Sequence, residues 1–107
     1  MSDNFIIVKT TTSKLEEAQE ISRLLLEKKL AGCIHIQQIN SSFIWQEQIC
    51  NQLEFEISIK THNNVLQEVC QIIKKNHSYQ TPQIISQKIE YLDEQYKSWL
   101  ESCVKKI

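Results

Sequence analysis

The sequence contains almost no glycine or proline: Gly32 and Pro82 are the only examples of each. Phosphate-binding loops of the P-loop and dinucleotide types need several glycines at fixed spacing, so that the backbone can approach the phosphates closely. Both kinds of nucleotide site are therefore excluded. The turns must instead be built from residues such as Asn, Ser, Thr and Gln.

An excess of charge of either sign is also missing. Lys and Arg number 12 and Asp and Glu number 13, which gives a formal net charge of −1. Nucleic-acid-binding domains normally carry a basic patch, and binding to anionic lipids uses clustered Lys and Arg. The composition therefore predicts no nucleic-acid partner and no membrane partner.

Long apolar runs are absent, and the first residues show neither the basic nor the apolar region of a secretory signal. The four cysteines, at positions 33, 50, 70 and 103, include no CxxC pair. Their even number would allow a disulfide framework, but without a signal peptide reduced and mostly buried thiols are favoured. We therefore expect a cytoplasmic protein, folded as one domain over residues 1–107.

The periodicity of apolar residues predicts the order of elements in the first half of the chain. Residues 5–10 read as a central strand, and a capping box at Ser13 and Glu16 opens a helix for which Gly32 is the stop. Alternating residues then predict two strands, 34–45 and 53–61, joined across a polar segment at 47–52.

The second half continues with a helix capped by Asn63 or Asn64. A strand over residues 84–89 follows Pro82, and a last helix presents Tyr96, Trp99, Leu100 and Cys103 on one face. The order predicts an α+β, ferredoxin-like βαββαβ domain with a long hairpin between its second and third strands and an extra C-terminal helix.

Five segments in order resemble the CutA family of divalent-cation tolerance proteins. They are residues 30–34, 42–45, 59–61, 77–85 and 96–100, and the resemblance runs from about Phe5 to Val104. It implies a homotrimer of ferredoxin-like subunits that is linked to divalent-cation tolerance and, in some branches, to copper binding.

The resemblance also implies positions for copper ligands: a cysteine at the end of the first strand and two adjacent histidines before a tyrosine. The matching residues here are Lys9, Asn76 and His77, so only one of three ligand types is kept. His77, in a loop that enters the last strand, is the leading candidate for a metal ligand; its alternative role is to cap the second helix.

A second candidate metal site comes from the residues alone. Cys33 and His35 lie two positions apart on a predicted strand, so both side chains point to one face. A thiolate and an imidazole placed in this way can hold two positions of a soft metal ion. The alternative is a buried thiol beside an ordinary histidine.

Glu54, Glu56 and Lys60 share the polar face of the following strand. Paired carboxylates beside a lysine can perturb each other's pKa and act as an acid/base pair, but such a row is also typical of a solvated sheet face or a subunit contact. His62, at the junction of this strand and a helix, is expected to be exposed.

Large aromatic side chains are candidates for subunit contacts, because Trp and Tyr are enriched at interfaces. Together with the strand charges they give the predicted interface or cleft residues, Trp45, Glu56, Lys60, Tyr79 and Trp99. Core packing is the competing role of the aromatics.

Three function classes therefore remain. The first is a non-enzymatic, trimeric CutA-like protein with a weak metal or small-ligand site, copper being the possible cofactor. The second is a trimeric PII-like sensor with a ligand between subunits, which the lack of a glycine-rich loop disfavours. The third is a hydrolase-like enzyme using Glu54, Glu56 and Lys60, which the lack of an evident nucleophile–base pair disfavours.

Overall fold

The computed structural model describes residues 4–105, which form a four-stranded sheet and three α-helices. The strands are β1 (Phe5–Thr12), β2 (Cys33–Trp45), β3 (Gln48–His62) and β4 (Ile85–Lys88). The helices are α1 (Leu15–Glu27), α2 (Leu66–Lys75) and α3 (Glu94–Cys103). No helix within residues 4–105 is long and apolar enough to span a membrane.

The sheet is antiparallel throughout, with the strand order β2-β3-β1-β4. Its core face packs against α1 and α2 through fully buried side chains from each layer, among them Val8, Ile57, Ile59, Ile21 and Val69. The predicted ferredoxin-like α+β fold with an added C-terminal helix is confirmed.

The opposite face of the sheet carries no layer of α1 or α2, and we call it the open face. Cys33 pairs with Lys60, His35 with Ser58 and Gln37 with Glu56. Since directly paired residues point to the same side, these six side chains share the open face.

The hairpin between β2 and β3 is longer than the sequence predicted. Residues 48–52 of the predicted polar segment belong to β3, and the turn consists of Gln46 and Glu47 alone, with φ of 50° and 65°. Trp45 pairs with Gln48 across it, as in a type I′ turn. The predicted loop is wrong because polar residues do not by themselves exclude a strand: a hairpin arm that projects beyond the helices has no core to demand alternation.

Two predicted helix caps are wrong. No side chain caps α1: its N-cap residue is Lys14, and the Thr12 hydroxyl donates to the Lys14 carbonyl at 2.9 Å. At the other junction a short 3₁₀ turn (Asn63–Val65) precedes α2, and the cap is His62, whose Nδ1 accepts from the Asn64 N–H at 3.0 Å.

His62 is also buried rather than exposed, because its ring packs edge-on against Phe5 at 5.0 Å. The His62 imidazole therefore provides the cap that was predicted for Asn63 or Asn64, and it also fills part of the core.

Glycine is required at position 32 for a reason other than the predicted helix stop. The left-handed residue after α1 is Lys29, with φ of 57°, whereas Gly32 has no positive φ. A Cβ at Gly32 would lie 2.5 Å from Leu100 Cδ1 and 3.1 Å from Cys103 Cβ. Glycine is needed here because α3 packs directly on the backbone where β2 begins.

The remaining predictions for the second half hold in outline. β4 is shorter than the predicted strand, and of the four residues on the predicted face of α3 only Leu100 is fully buried. All four cysteines are free, as predicted, but each is partly exposed rather than buried.

The left-handed pair at the turn predicts a stabilising substitution. Each such non-glycine residue costs about 1 kcal/mol or more, and Asn-Gly is the preferred type I′ sequence. Replacing Gln46→Asn together with Glu47→Gly should raise the free energy of unfolding by about 1 kcal/mol, measured by urea denaturation at fixed protein concentration. Glu47→Ala, which keeps a Cβ at the same φ, is the matched control and should give no gain; equal stabilisation by both would contradict the assignment.

Candidate functional site

The loop after α2 is held by the ring of His77, whose side chain is fully buried. His77 Nδ1 accepts from the Tyr79 N–H at 3.1 Å, which places the ring proton on Nε2. Nε2 then donates to the Thr11 carbonyl at 2.8 Å and lies 3.5 Å from the Thr10 hydroxyl. Both ring nitrogens are thus occupied, and a metal ion could reach one of them only after a hydrogen bond is broken.

The three positions that the family resemblance assigns to copper do not converge within the subunit. Thr10 is buried on the core side and Lys9 points to the open face, because neighbouring strand residues alternate. His77 lies on the Thr10 side. Asn76 caps α2 by donating its side-chain amide to the Ile72 carbonyl at 2.8 Å, so the capping role considered for His77 belongs to Asn76.

A carboxylate of α1 fixes the same loop. Glu17 accepts from the Ser78 N–H at 2.7 Å and from the Ser78 hydroxyl at 2.9 Å, and its Oε2 lies 3.4 Å from His77 Nδ1. The contacts join residues 61 positions apart in the sequence. No local sequence pattern predicts these contacts of Glu17.

Tyr79 connects this loop to the hairpin. Its hydroxyl donates to Glu54 Oε2 at 2.7 Å and accepts from the Gln52 side-chain amide at 2.8 Å. Burial of the phenol, followed by the hydrogen bond with the Glu54 carboxylate, raises the pKa of Tyr79 to about 12. Glu54 itself is only 6% exposed, so this phenol is the donor that makes a buried carboxylate tolerable.

The predicted acid/base row is therefore divided. The Glu54 carboxylate is bound by Tyr79, whereas Glu56 and Lys60 lie four residues apart on β3, about 13 Å along the strand. Neither Glu56 nor Lys60 forms an ion pair with any residue in the described range 4–105.

Cys33 and His35 are brought together as predicted. Cys33 Sγ and His35 Nε2 lie 3.7 Å apart at the start of β2. Tyr96 of α3 reaches the same thiol: burial, then its hydrogen bond with Cys33 and the charges of Cys33 and Cys103, raise the pKa of Tyr96 to about 12. Sequence reasoning missed this third group, because the docking of α3 on Gly32 was not foreseen.

The predicted aromatic contacts lie at separate places. Trp45 is 57% exposed at the tip of the hairpin, and Trp99 is 47% exposed on α3, with its ring tilted by 41° against that of Tyr96 at a centroid distance of 5.5 Å. Trp45 and Lys60 are roughly 40 Å apart along the hairpin. The five predicted interface or cleft residues therefore do not form one pocket in a single subunit.

A shallow groove of about 360 Å³ lies near the end of α1. It is lined by Lys28, Leu30, Glu68, Gln71, Ile72 and Lys105. Lys105 Nζ and Glu68 Oε2 pair with each other at 2.7 Å, which leaves Lys28 as the one lining charge outside this ion pair.

Comparison with known proteins decides the family. The model of the CutA1 divalent ion tolerance protein family matches residues 6–103. The divalent-cation tolerance protein CutA of Archaeoglobus fulgidus is 40% identical over 101 residues, which is 94% of this chain and 97% of that protein. This chain belongs to the CutA family.

Other members of the CutA family agree in sequence and in structure. The Thermotoga maritima protein is 34% identical over 92% of this chain and 98% of its own length. The solved structure of the Archaeoglobus fulgidus protein, described as periplasmic, superposes with a TM-score of 0.92 at 37% identity over 94% of this chain and 99% of that one. CutA1 from Oryza sativa gives 0.92 at 26% identity over 96% and 95% of the two chains.

The Tyr79–Glu54 contact predicts a measurable loss in Tyr79→Phe. Removing a hydrogen bond to a buried carboxylate should cost about 2 kcal/mol of unfolding free energy. The neutral phenol is the bonded form, so its contribution is present below pH 10 and is lost as the pH rises through about 12. Wild-type stability should fall more steeply over that interval than that of Tyr79→Phe.

The matched control is Tyr91→Phe, since Tyr91 is 80% exposed. Chemical denaturation at pH 7 and at steps between pH 9.5 and 12 would measure both variants. Equal stability of Tyr79→Phe, Tyr91→Phe and the wild type at pH 7 would show that Tyr79 does not stabilise Glu54.

Proposed function

We propose that this CutA-family chain is a non-enzymatic homotrimer of the cytoplasm that binds divalent cations, with copper bound most tightly. The family membership supports the link with divalent-cation tolerance. Four partly exposed free thiols are compatible with a reducing compartment. No observation favours a PII-like sensor over this function.

The observation that supports assembly into an oligomer is the exposed apolar tip of the β2–β3 hairpin. Ile44 and Ile49 pair with each other near its tip and are 76% and 79% exposed, and Trp45 beside them is 57% exposed. β1 pairs only with residues 55–62 of β3, so residues 48–54 have a strand partner on one side only. Apolar side chains beside unpaired strand edges favour association with another chain.

Closed symmetry accounts for such a surface without leading to fibres. If the tip of one copy contacts a different surface of the next, the contact is heterologous, and it ends in a ring when the rotation closes. The number of subunits in the proposed ring, three, comes from the family resemblance.

We expect a particle of about 38 kDa by light scattering, three times the 12.6 kDa chain. Ile44→Glu combined with Ile49→Glu should shift it towards the monomer, because two carboxylates would have to be desolvated in the contact. Leu26→Glu on α1, which is 44% exposed outside the hairpin, is the control and should leave the trimer intact. A wild-type monomer at micromolar concentration would refute the trimer.

For the cation, the expected order follows general ligand chemistry, in which Cu(II) exceeds Ni(II) and Zn(II) at sites with nitrogen and sulfur donors. Few donors are available, so we expect a micromolar copper complex, worth about −8 kcal/mol. Anaerobic titration calorimetry would measure it, and a hundredfold excess over Kd should stabilise the fold by about 2.7 kcal/mol. Mg²⁺ is the control ion, since it prefers oxygen ligands; no heat with any transition metal would refute cation binding.

A further inference from the structure

Cys33 and His35 present two metal-binding atoms at the start of β2, where α3 packs against the strand. Their Sγ and Nε2 atoms lie 3.7 Å apart, and both side chains project from the open face. His35 is exposed and Cys33 partly so, which leaves solvent access to both donors.

This separation matches the spacing of two ligands on one ion. A tetrahedral ion with a metal–sulfur distance of about 2.3 Å and a metal–nitrogen distance of about 2.0 Å holds the two ligand atoms roughly 3.5 Å apart. The observed 3.7 Å needs only a small opening of that angle. The pair would therefore bind without moving the strand backbone.

Three other side chains lie around the pair. Lys60 stands directly opposite Cys33 on β3. Tyr96 of α3 lies beside the same sulfur, and because its pKa is raised to about 12 the phenol adds no charge at neutral pH. Ser58, opposite His35, adds no competing charge.

The site is open. Residues 4–105 contain no group of three His, Cys, Asp or Glu side chains arranged to hold a metal ion. Two protein ligands leave two further positions of a tetrahedral ion for water or an added ligand. Such a site exchanges its ion readily and is consistent with micromolar affinity.

We propose that Cys33 Sγ and His35 Nε2 form an open binding site for a thiophilic divalent cation of the copper, cobalt and zinc type. The proposal rests on the cation binding of the proposed function and names its ligands. On binding, the Cys33 thiol gives its proton to solvent and the neutral His35 ring supplies its Nε2 lone pair; a six-coordinate aqua ion that becomes tetrahedral releases four of its waters and keeps two.

His77 differs from His35 in that both of its ring nitrogens already have partners. Its side chain is fully buried, and both of its nitrogens already form hydrogen bonds, to the Tyr79 N–H and the Thr11 carbonyl. Cys33 and His35 instead contact each other. An arriving cation would replace weak contacts of the thiol rather than two backbone hydrogen bonds.

The test uses Co²⁺ as the probe, because a cobalt–thiolate bond gives a near-ultraviolet charge-transfer band that nitrogen or oxygen ligands do not. The anaerobic wild-type protein should develop this band, with release of about one proton per subunit. Cys33→Ser should abolish the band, and His35→Asn should weaken apparent binding at least tenfold. Cys50→Ser removes another partly exposed free thiol and is the matched control, which should behave as the wild type.

His77→Gln separates this site from the site implied by the family resemblance. Retention of the band in His77→Gln, with loss in Cys33→Ser, supports the proposal. A band that survives Cys33→Ser, or that disappears in His77→Gln but not in His35→Asn, overturns it. Calorimetric copper binding of wild-type strength in both Cys33→Ser and His35→Asn would overturn the site while the proposed function stands; no binding of any divalent ion by the wild type would overturn both.

Discussion

The difference in length between β1 and β3 is the constraint on which the rest of the structure depends. β3 has 15 residues and β1 has 8, and the two strands pair only from Phe5 with His62 to Thr12 with Phe55. Beyond Thr12 the hairpin continues with no neighbour on the β1 side. The loop after α2 fills the space beside this unpaired part of β3, because the Tyr79 hydroxyl donates to Glu54, one residue past the last β1–β3 pair.

How much of this fold the sequence predicts depends on whether a residue's partner is local. Ile34 and Ile36 alternate because they face the core, and the strand they indicate is present. Ser13 and Glu16 match a capping box, yet the N-cap residue of α1 is Lys14 and no side chain caps the helix. A local motif therefore does not by itself fix where a helix begins.

The candidate site shows the same limit. The Cys33 and His35 pair was predictable because strand alternation alone places two such side chains on one face. The burial of His77 was not, since it depends on the carbonyl of Thr11 and on the loop geometry that Glu17 imposes from α1. Family resemblance singled out His77 as a position, but its hydrogen bonds follow from packing that no spacing encodes.

The proposed cation site and the proposed subunit contact lie at opposite ends of β2. Cys33 begins β2 and Trp45 ends it, which separates the cation ligands from the apolar tip by roughly 40 Å. Sites so far apart with no shared partner usually behave independently. Within one subunit, charges placed at Ile44 and Ile49 should therefore leave the distance between Cys33 and His35 unchanged. Any effect of assembly on cation affinity would then have to come from a neighbouring copy, which could supply one of the two ligand positions that Cys33 and His35 leave open.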